Sequence, residues 1–255
     1  QKAFGDAGNR IVMEDFLKGE QASFIVFTDG ENIYPMSTSQ DHKPVYDNDE
    51  GPNTGGMGAY SPAPVINEKM YHKIINEIMR PIINAMAAED RPYKGILYAG
   101  LMISGEDVKV LEFNCRMGDP EAQPLLVRLE SDIVPLLVGA AEGNIKNIET
   151  IWSHRPSVCV VMASAGYPGH YEKRKEIKGL SQAEAMEDVV IFHAATKFEN
   201  GKYYTNGGRV LGVTATGNNL KEAIERTYEA VSKIWWDGVH YRKDIGKKGL
   251  LKLAS

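Results

Sequence analysis

The sequence predicts an α+β protein: a domain of mixed sheet and helix over residues 1–155, then a smaller antiparallel β domain over 156–255 closed by a helix near its end. Three observations carry that expectation. GILYAGLMIS (95–104) and DVKVLEFN (107–114) are strand-like runs joined at Gly105-Glu106, the pattern of a β-hairpin. NEKMYHKIINEIMRPIINAMAAED (67–90) sets Met70, Ile74, Ile75, Ile78, Ile82 and Met86 on one helical face, with Pro81 placed to kink it. Around 151–156 the texture changes: SVCVVMASAG, VVIFHAATKF and KYYTNGGRVLGVTATG read as strands separated by turns. An amphipathic stretch follows, NLKEAIERTYEAVSKIWW, with Leu220, Ile224, Thr227, Val231 and Ile234 in register.

The remaining elements fall between these. RIVMEDF (10–16) and QASFIVFTDG (21–30) read as strands around LKGE, the second closed by an Asp29-Gly30 turn, and NIYPM as a short strand after it. Residues 37–65 form a loop far longer than a connection requires, which marks a functional or mobile segment. PLLVRL and DIVPLLVGAAEG read as largely buried helices.

Composition narrows the function classes. With 255 residues, 43% hydrophobic and 25% charged, the chain can bury a sizeable core. A net charge of −5 provides no general attraction to nucleic acid or an anionic membrane, and KRKEIK (173–178) reads as a solvated strand or loop. No apolar run reaches membrane-spanning length, and QKAFGDAGNR lacks a signal-peptide pattern. Cys115 and Cys159 are the only cysteines, which fits a reduced, cytoplasmic protein better than a disulfide scaffold, and neither stands at zinc-ligand spacing with histidine.

Three segments crowd polar groups where chemistry is expected. In EFNCRMGDPE (112–121), Glu112 and Asn114 lie two apart on a strand and face one side, with Leu111 and Phe113 on the other. One carboxylate and one amide oxygen suit a hard cation that keeps several waters, such as magnesium on substrate phosphates; a merely wet strand end is an equal alternative. Arg116 offers a planar fork of donors to phosphate oxygens. Asp119-Pro120-Glu121 has the form of an N-cap, a first-position proline and a first-turn acid, so capping competes with catalysis for Asp119.

GPNTGGMGAYSP (51–62) has four glycines in its first eight residues, so its backbone amides are free to approach an anion closely, around Asn53, Thr54, Gly55, Gly56 and Gly58. A flexible loop of the same composition is the alternative. Gln40-Asp41-His42-Lys43 precedes it and adds a cation and a titratable group, although a single histidine in a loop is usually only solvated. In MEDFLKGE (13–20), an irregular turn at Glu14, Asp15, Phe16 and Leu17 exposes backbone groups that fit an adenine edge, and Glu20 fits ribose hydroxyls; solvent-facing acids are the alternative.

Taken in order, IVMEDFLKGEQASF, SQDHKPVYDNDEGPNTGGMGAYSPAP, YAGLMI, EFNCRMGDPEAQ and YRKDIG resemble the phosphoribosylamine–glycine ligases (glycinamide ribonucleotide synthetases), a family of the ATP-grasp fold, across essentially the whole chain. The resemblance implies ATP-dependent joining of glycine to 5-phosphoribosylamine through glycyl phosphate, in purine biosynthesis. It implies Mg2+ or Mn2+ on Glu112 and Asn114, Arg116 at the transferred phosphate with Asp119 beside it, the adenine hinge at Glu14–Leu17, and Glu20 on the ribose. The glycine-rich loop would then hold phosphoribosylamine or cover the phosphates. Asp15 stands where the family often has a second glutamate, Met117 where it has a bulkier apolar residue, and YAGLMIS carries no further acidic ligand. The resemblance also implies that a domain and a phosphate-contacting lysine precede the hinge, in cis or on a partner chain. Another ATP-grasp ligase or carboxylase, and a nucleotide-binding module without turnover, are the competing readings. His193, Lys197 and Arg209 receive no catalytic role and are expected to line the cleft.

Overall fold

The computed structural model describes residues 5–254. In chain order its first strands are β1 (Glu20–Thr28), β2 (Ile33–Pro35), β3 (Gln40–Asp41), β4 (Pro44–Tyr46), β5 (Glu50–Asn53) and β6 (Gly58–Ser61). The two parts of one helix, α1 (Glu68–Ile74) and α2 (Arg80–Ala88), follow, then β7 (Gly95–Ser104), β8 (Asp107–Asn114), α3 (Ala122–Leu126) and α4 (Val134–Glu142). The rest comprises β9 (Ser157–Ser164), α5 (Leu180–Glu184), β10 (Val189–His193), β11 (Thr196–Glu199), β12 (Lys202–Thr205), β13 (Arg209–Thr216), α6 (Leu220–Lys233), β14 (Val239–His240) and α7 (Lys247–Leu253).

Two antiparallel sheets organise these elements. One has the order β2-β1-β7-β8; the other runs β10-β13-β9-β6-β3, with β14 also on β9. Alternate residues of β1 enter different cores. Phe24 and Val26 pack with Met70, Ile74 and Met79 beneath α1–α2, whereas Ile25 and Phe27 pack with Leu125 and Leu136 of α3 and α4. Helices on both faces explain why β1 is an unbroken apolar run rather than an alternating one. A third core lies between the second sheet and α6, around Val158, Val213, Ala223, Val231 and Trp236.

The hairpin β7–β8 forms as its sequence predicts, with Ser104 opposite Asp107 across the two-residue turn. The helix over 67–90 also forms, but a π turn at Ile75–Met79 separates α1 from α2. Pro81 has no N–H to give to the residue-77 carbonyl, and a wide turn just ahead of it accommodates that gap. One extra residue per turn rotates the buried face, so Met79 and Ile83 are buried where the simple periodicity placed Ile78 and Ile82.

Three expectations need correction. Residues 10–16 form no strand: Ile11, Val12, Met13 and Phe16 are 84–90% exposed, and no described strand pairs with them. A strand without a ladder partner leaves its backbone groups to water, and sequence pattern alone cannot supply the partner. The long loop of residues 37–65 is not irregular, because β3 to β6 fold it into paired strands. Helix α4 is buried on one face only, with Val134, Leu137 and Val138 exposed. Across the expected boundary at 155/156, β6 pairs with β9, Gly58 opposite Val160 and Ser61 opposite Ser157.

Candidate active site

Strand β8 is the outer edge of the first sheet and is solvated on both faces, as an edge strand that serves a ligand must be. Glu112 stands opposite Gly100 and Asn114 opposite Tyr98. The register then skips Leu111, a β-bulge, so Leu111 and Glu112 both line the same cavity instead of pointing to opposite sides. Gly100 leaves room there: a Cβ would meet the Glu112 Cγ at 3.1 Å. Among the described residues no group of three or more His, Cys, Asp or Glu could hold a metal ion. Glu112 and Asn114, one carboxylate and one amide on alternate residues, could offer two oxygens to a hard cation, and of the two Glu112 lines the cavity.

The cavity, about 400 Å3, is walled by Glu112, by Ser23 and Tyr98 of the sheet, and by Lys43, Asn53 and Thr54 from the glycine-rich region. The expected metal donor and two expected substrate residues thus meet in one place. The glycines themselves act differently from a phosphate cradle. The Gly55 N–H donates to the Tyr167 hydroxyl (3.1 Å), the Gly56 N–H to Thr54 Oγ1 (2.9 Å), and the Met57 N–H to the His42 carbonyl (2.9 Å), so these amides are already used. Thr54 Oγ1 in turn donates to the Lys43 carbonyl at 2.7 Å. Gly56, at φ +119°, lets the chain cross within a Cβ's reach of Pro120 and Asp41, and Gly58 is buried in the sheet against Cys159 and Ile245. The glycines buy close packing of this loop on the sheets.

Asp41 lines the cavity and forms a buried acidic pair with Glu121. Asp41 and Glu121 are 6% and 1% exposed, although the sequence places the first in a long loop and the second as a first-turn acid. Glu121 Oε1 accepts from Ser23 Oγ at 2.7 Å, and Ser23 Oγ lies 3.0 Å from the Tyr98 hydroxyl. Asp41 accepts from the His42 N–H at 2.7 Å and faces Lys43 Nζ at 3.2 Å. Burial, reinforced by the Glu121 charge and opposed by Lys43, pushes the Asp41 carboxyl up to about 8. Burial likewise raises the Tyr98 hydroxyl, with Glu121 adding to it. His42, expected to be solvated, is buried with Nδ1 on the Gly58 carbonyl (3.1 Å); burial and then the nearby Arg242 push it down to about 4, so it is neutral.

The other expected residues are distributed around this centre. Arg116 is exposed and donates to the Met117 carbonyl at 2.8 Å. Asp119 is not an N-cap. Helix α3 begins at Ala122 with Glu121 as its cap, and the Asp119 carboxylate instead receives Gln123 Nε2 (3.0 Å) and Arg209 Nη2 (3.0 Å). Glu14, Asp15 and Phe16 are exposed in the irregular segment, with Leu17 half-buried. Glu20 opens β1, within 3.4 Å of Gln40 Nε2. His193 bonds only locally, its Nδ1 3.0 Å from Thr196 Oγ1, and Lys197 pairs with Glu199, whereas Arg209 reaches the glycine-rich loop.

Two family models match the chain: the phosphoribosylglycinamide synthetase ATP-grasp (A) domain over residues 1–122 and the C domain of the same synthetase over 157–248. The chain belongs to the phosphoribosylglycinamide synthetase family. A phosphoribosylamine–glycine ligase of Vibrio parahaemolyticus is 51% identical over 251 residues, 98% of this chain and 58% of that protein. The crystal structure of phosphoribosylamine–glycine ligase from Thermotoga maritima superposes with a TM-score of 0.81 at 34% identity, covering 91% of this chain and 56% of that one. The N5-carboxyaminoimidazole ribonucleotide synthetase of Thermotoga maritima, at 16% identity and a TM-score of 0.61, shares the ATP-grasp fold. The chain spans about 58% of the length of the curated relative. No helix among the described residues is long and apolar enough to cross a membrane.

Sequence reasoning missed Ser23, Tyr98 and Glu121 as parts of the site, undervalued Asp41 and Lys43, and expected Arg209 to line the cleft without giving it a role there. A polar Ser23 inside the apolar run of β1 was the one available local signal, because a serine there needs a partner.

Proposed function

We propose that the complete protein joins glycine to 5-phosphoribosylamine with ATP, giving glycinamide ribonucleotide, ADP and phosphate, as a cytoplasmic enzyme of purine biosynthesis. The observation that carries this reading is the cavity that brings Glu112, two residues ahead of the NCRMGDPE segment, against Asn53 and Thr54 of the glycine-rich segment. Metal-bound phosphate and an acceptor amine must meet for this chemistry, and those two segments are the most family-specific stretches of the chain.

The reaction transfers the γ-phosphoryl group of ATP to a glycine carboxylate oxygen. The amine nitrogen of phosphoribosylamine then attacks the glycyl carbonyl carbon, forming the amide bond, releasing phosphate and losing a proton. Glu112 and Asn114 would hold a divalent cation, magnesium or manganese, which supplies charge neutralisation to the polyphosphate. Arg116, exposed beside them, offers its guanidinium to the transferred phosphoryl oxygens. Backbone groups of Glu14–Leu17 meet the adenine, and Glu20 the ribose. Asn53 and Thr54 face the cavity and receive the acceptor substrate, while Gly55, Gly56 and Gly58 bring that segment close enough to do so. Lys43, half-buried against Asp41, adds a fixed positive charge at the same wall. Asp119 acts by orientation rather than by proton transfer, since both its oxygens are engaged.

The test is phosphate release from ATP by the complete protein with glycine and phosphoribosylamine offered singly and together. Release that requires both substrates supports the reading. Release driven equally well by an unrelated acid and amine would overturn it in favour of another ATP-grasp ligase.

A further inference from the structure

The structure assigns a positioning role to Arg209: its guanidinium clamps the glycine-rich segment onto the Gly118–Glu121 turn and so sets where Asn53 and Thr54 face the acceptor substrate. This inference rests on the function proposed above and adds a residue from the second sheet to it.

Arg209 opens β13, far from both segments in sequence. Its Nη1 donates to the Gly55 carbonyl at 3.0 Å, to the Gly56 carbonyl at 3.4 Å and to the Asp119 carbonyl at 2.6 Å. Its Nη2 pairs with Asp119 Oδ2 at 3.0 Å. One planar cation thus ties the glycine-rich segment, whose Asn53 and Thr54 line the cavity, to the turn that follows the strand carrying Glu112. Only a guanidinium has enough donors in a fixed fork to do this; a lysine ammonium reaches fewer of them at once. Tyr167 fixes the same loop from another side through the Gly55 N–H. The contact is also tight, because a Cβ on Gly55 would come within 2.9 Å of the Arg209 Cζ. A small loop residue and a forked cation therefore fit each other at this point. The surroundings are partly open to solvent, with the side chains of Arg209 and Asp119 22% and 52% exposed, so the clamp sits at the lip of the cleft rather than in a core.

The experiment uses the complete protein and compares wild type with Arg209→Ala, Arg209→Lys and Gly55→Ala. Gly55 does not occupy a left-handed backbone region, so alanine there presses on the clamp without straining the chain. Arg155→Ala is the control for loss of an arginine ion pair, because Arg155 pairs with Asp188 away from the cleft. Three quantities are read: KM for phosphoribosylamine, KM for ATP, and amide exchange over residues 48–58. Arg209→Ala is expected to raise the KM for phosphoribosylamine at least about tenfold, the scale of losing charge-assisted bonds. It should leave the KM for ATP within about twofold and speed exchange in the loop. Arg209→Lys and Gly55→Ala should fall between, and Arg155→Ala should move none of the three. If Arg209→Ala does not fold, the lysine and Gly55 variants carry the same comparison. Wild type that turns over normally while these variants keep wild-type KM and loop exchange would overturn the clamp. Wild type that shows no release dependent on both substrates would instead overturn the proposed function.

Discussion

Replacing Asp41 by asparagine should remove a pH-dependent penalty on stability. The Asp41 carboxyl is pushed up to about 8 from an ordinary 3.8, by burial first and by the Glu121 charge second. Between those values the folded protein keeps the proton while the unfolded chain releases it. Because the folded state binds more protons, stability falls as pH rises through that window. The slope for one such group is between about 1 and 2 kcal/mol per pH unit, or roughly 3 kcal/mol from pH 5 to pH 7. Asparagine cannot ionise and copies the protonated acid in shape, so the variant loses this slope. Urea unfolding of both proteins at pH 5, 6 and 7, followed by circular dichroism, gives the difference in unfolding free energy at each pH. Titrations common to both proteins cancel in that difference. The difference should shift in favour of Asp41→Asn by a few kcal/mol over the range, in the direction of rising pH. A difference that stays flat, or moves the other way, would show that Asp41 ionises in the folded protein much as it does in water.

Two further perturbations probe what holds the site's walls. Arg242 is wholly buried and binds Asp244 through Nε and Nη2, and Asp49 and the Pro44 carbonyl through Nη1. Arg242→Met should cost about 3–5 kcal/mol in chemical denaturation, because Asp244 is left without its cation and Asp49 keeps only Lys248; a loss below ~1 kcal/mol would mean that water replaces it freely. The same variant should weaken the acid sensitivity contributed by Asp244. Burial alone would raise that carboxyl, but Arg242 and the Asn48 N–H hold it near 2, which gives stability that is lost as pH falls from about 4 towards 2. Gly58→Ala places a Cβ within 2.6 Å of the Cys159 carbonyl oxygen at φ +155°, and should lower stability by about 2 kcal/mol or more. A melting temperature equal to that of wild type would show that β6 and β9 separate at little cost.

Local signals made much of this architecture legible. The β7–β8 hairpin follows from two apolar strands around Gly105-Glu106, and α6 from a helical stripe ending in Val231. Those patterns lie within one element, and local propensity and pairing agree there. What stayed hidden depends on segments far apart in sequence. QDHK reads as a polar loop until β3 pairs with β6 and buries Asp41 and His42. DPE reads as a helix cap until Arg209 arrives from β13 to take the Asp119 carboxylate. The bulge at Leu111 and the π turn ahead of Pro81 each insert one residue of register, which changes the exposed face without any sign in composition. Segment 10–16 reads as a strand from its apolar run but has no described partner, so its composition alone misleads. Of the site, the strand carrying Glu112 and the loop carrying Asn53 and Thr54 were legible, whereas the buried acid pair and the role of the arginine that ties that loop to the turn after β8 were not.

The central claim is that Glu112 and Asn114 hold the divalent cation that lets ATP activate glycine. The most direct measurement is the magnesium dependence of glycine- and phosphoribosylamine-dependent phosphate release by the complete protein, wild type against Glu112→Gln. The account predicts that the variant folds normally yet loses on the order of a hundredfold or more of its turnover at limiting magnesium, with partial recovery as magnesium is raised. Identical magnesium curves for the two proteins would contradict it and leave Glu112 as a solvated residue on an edge strand.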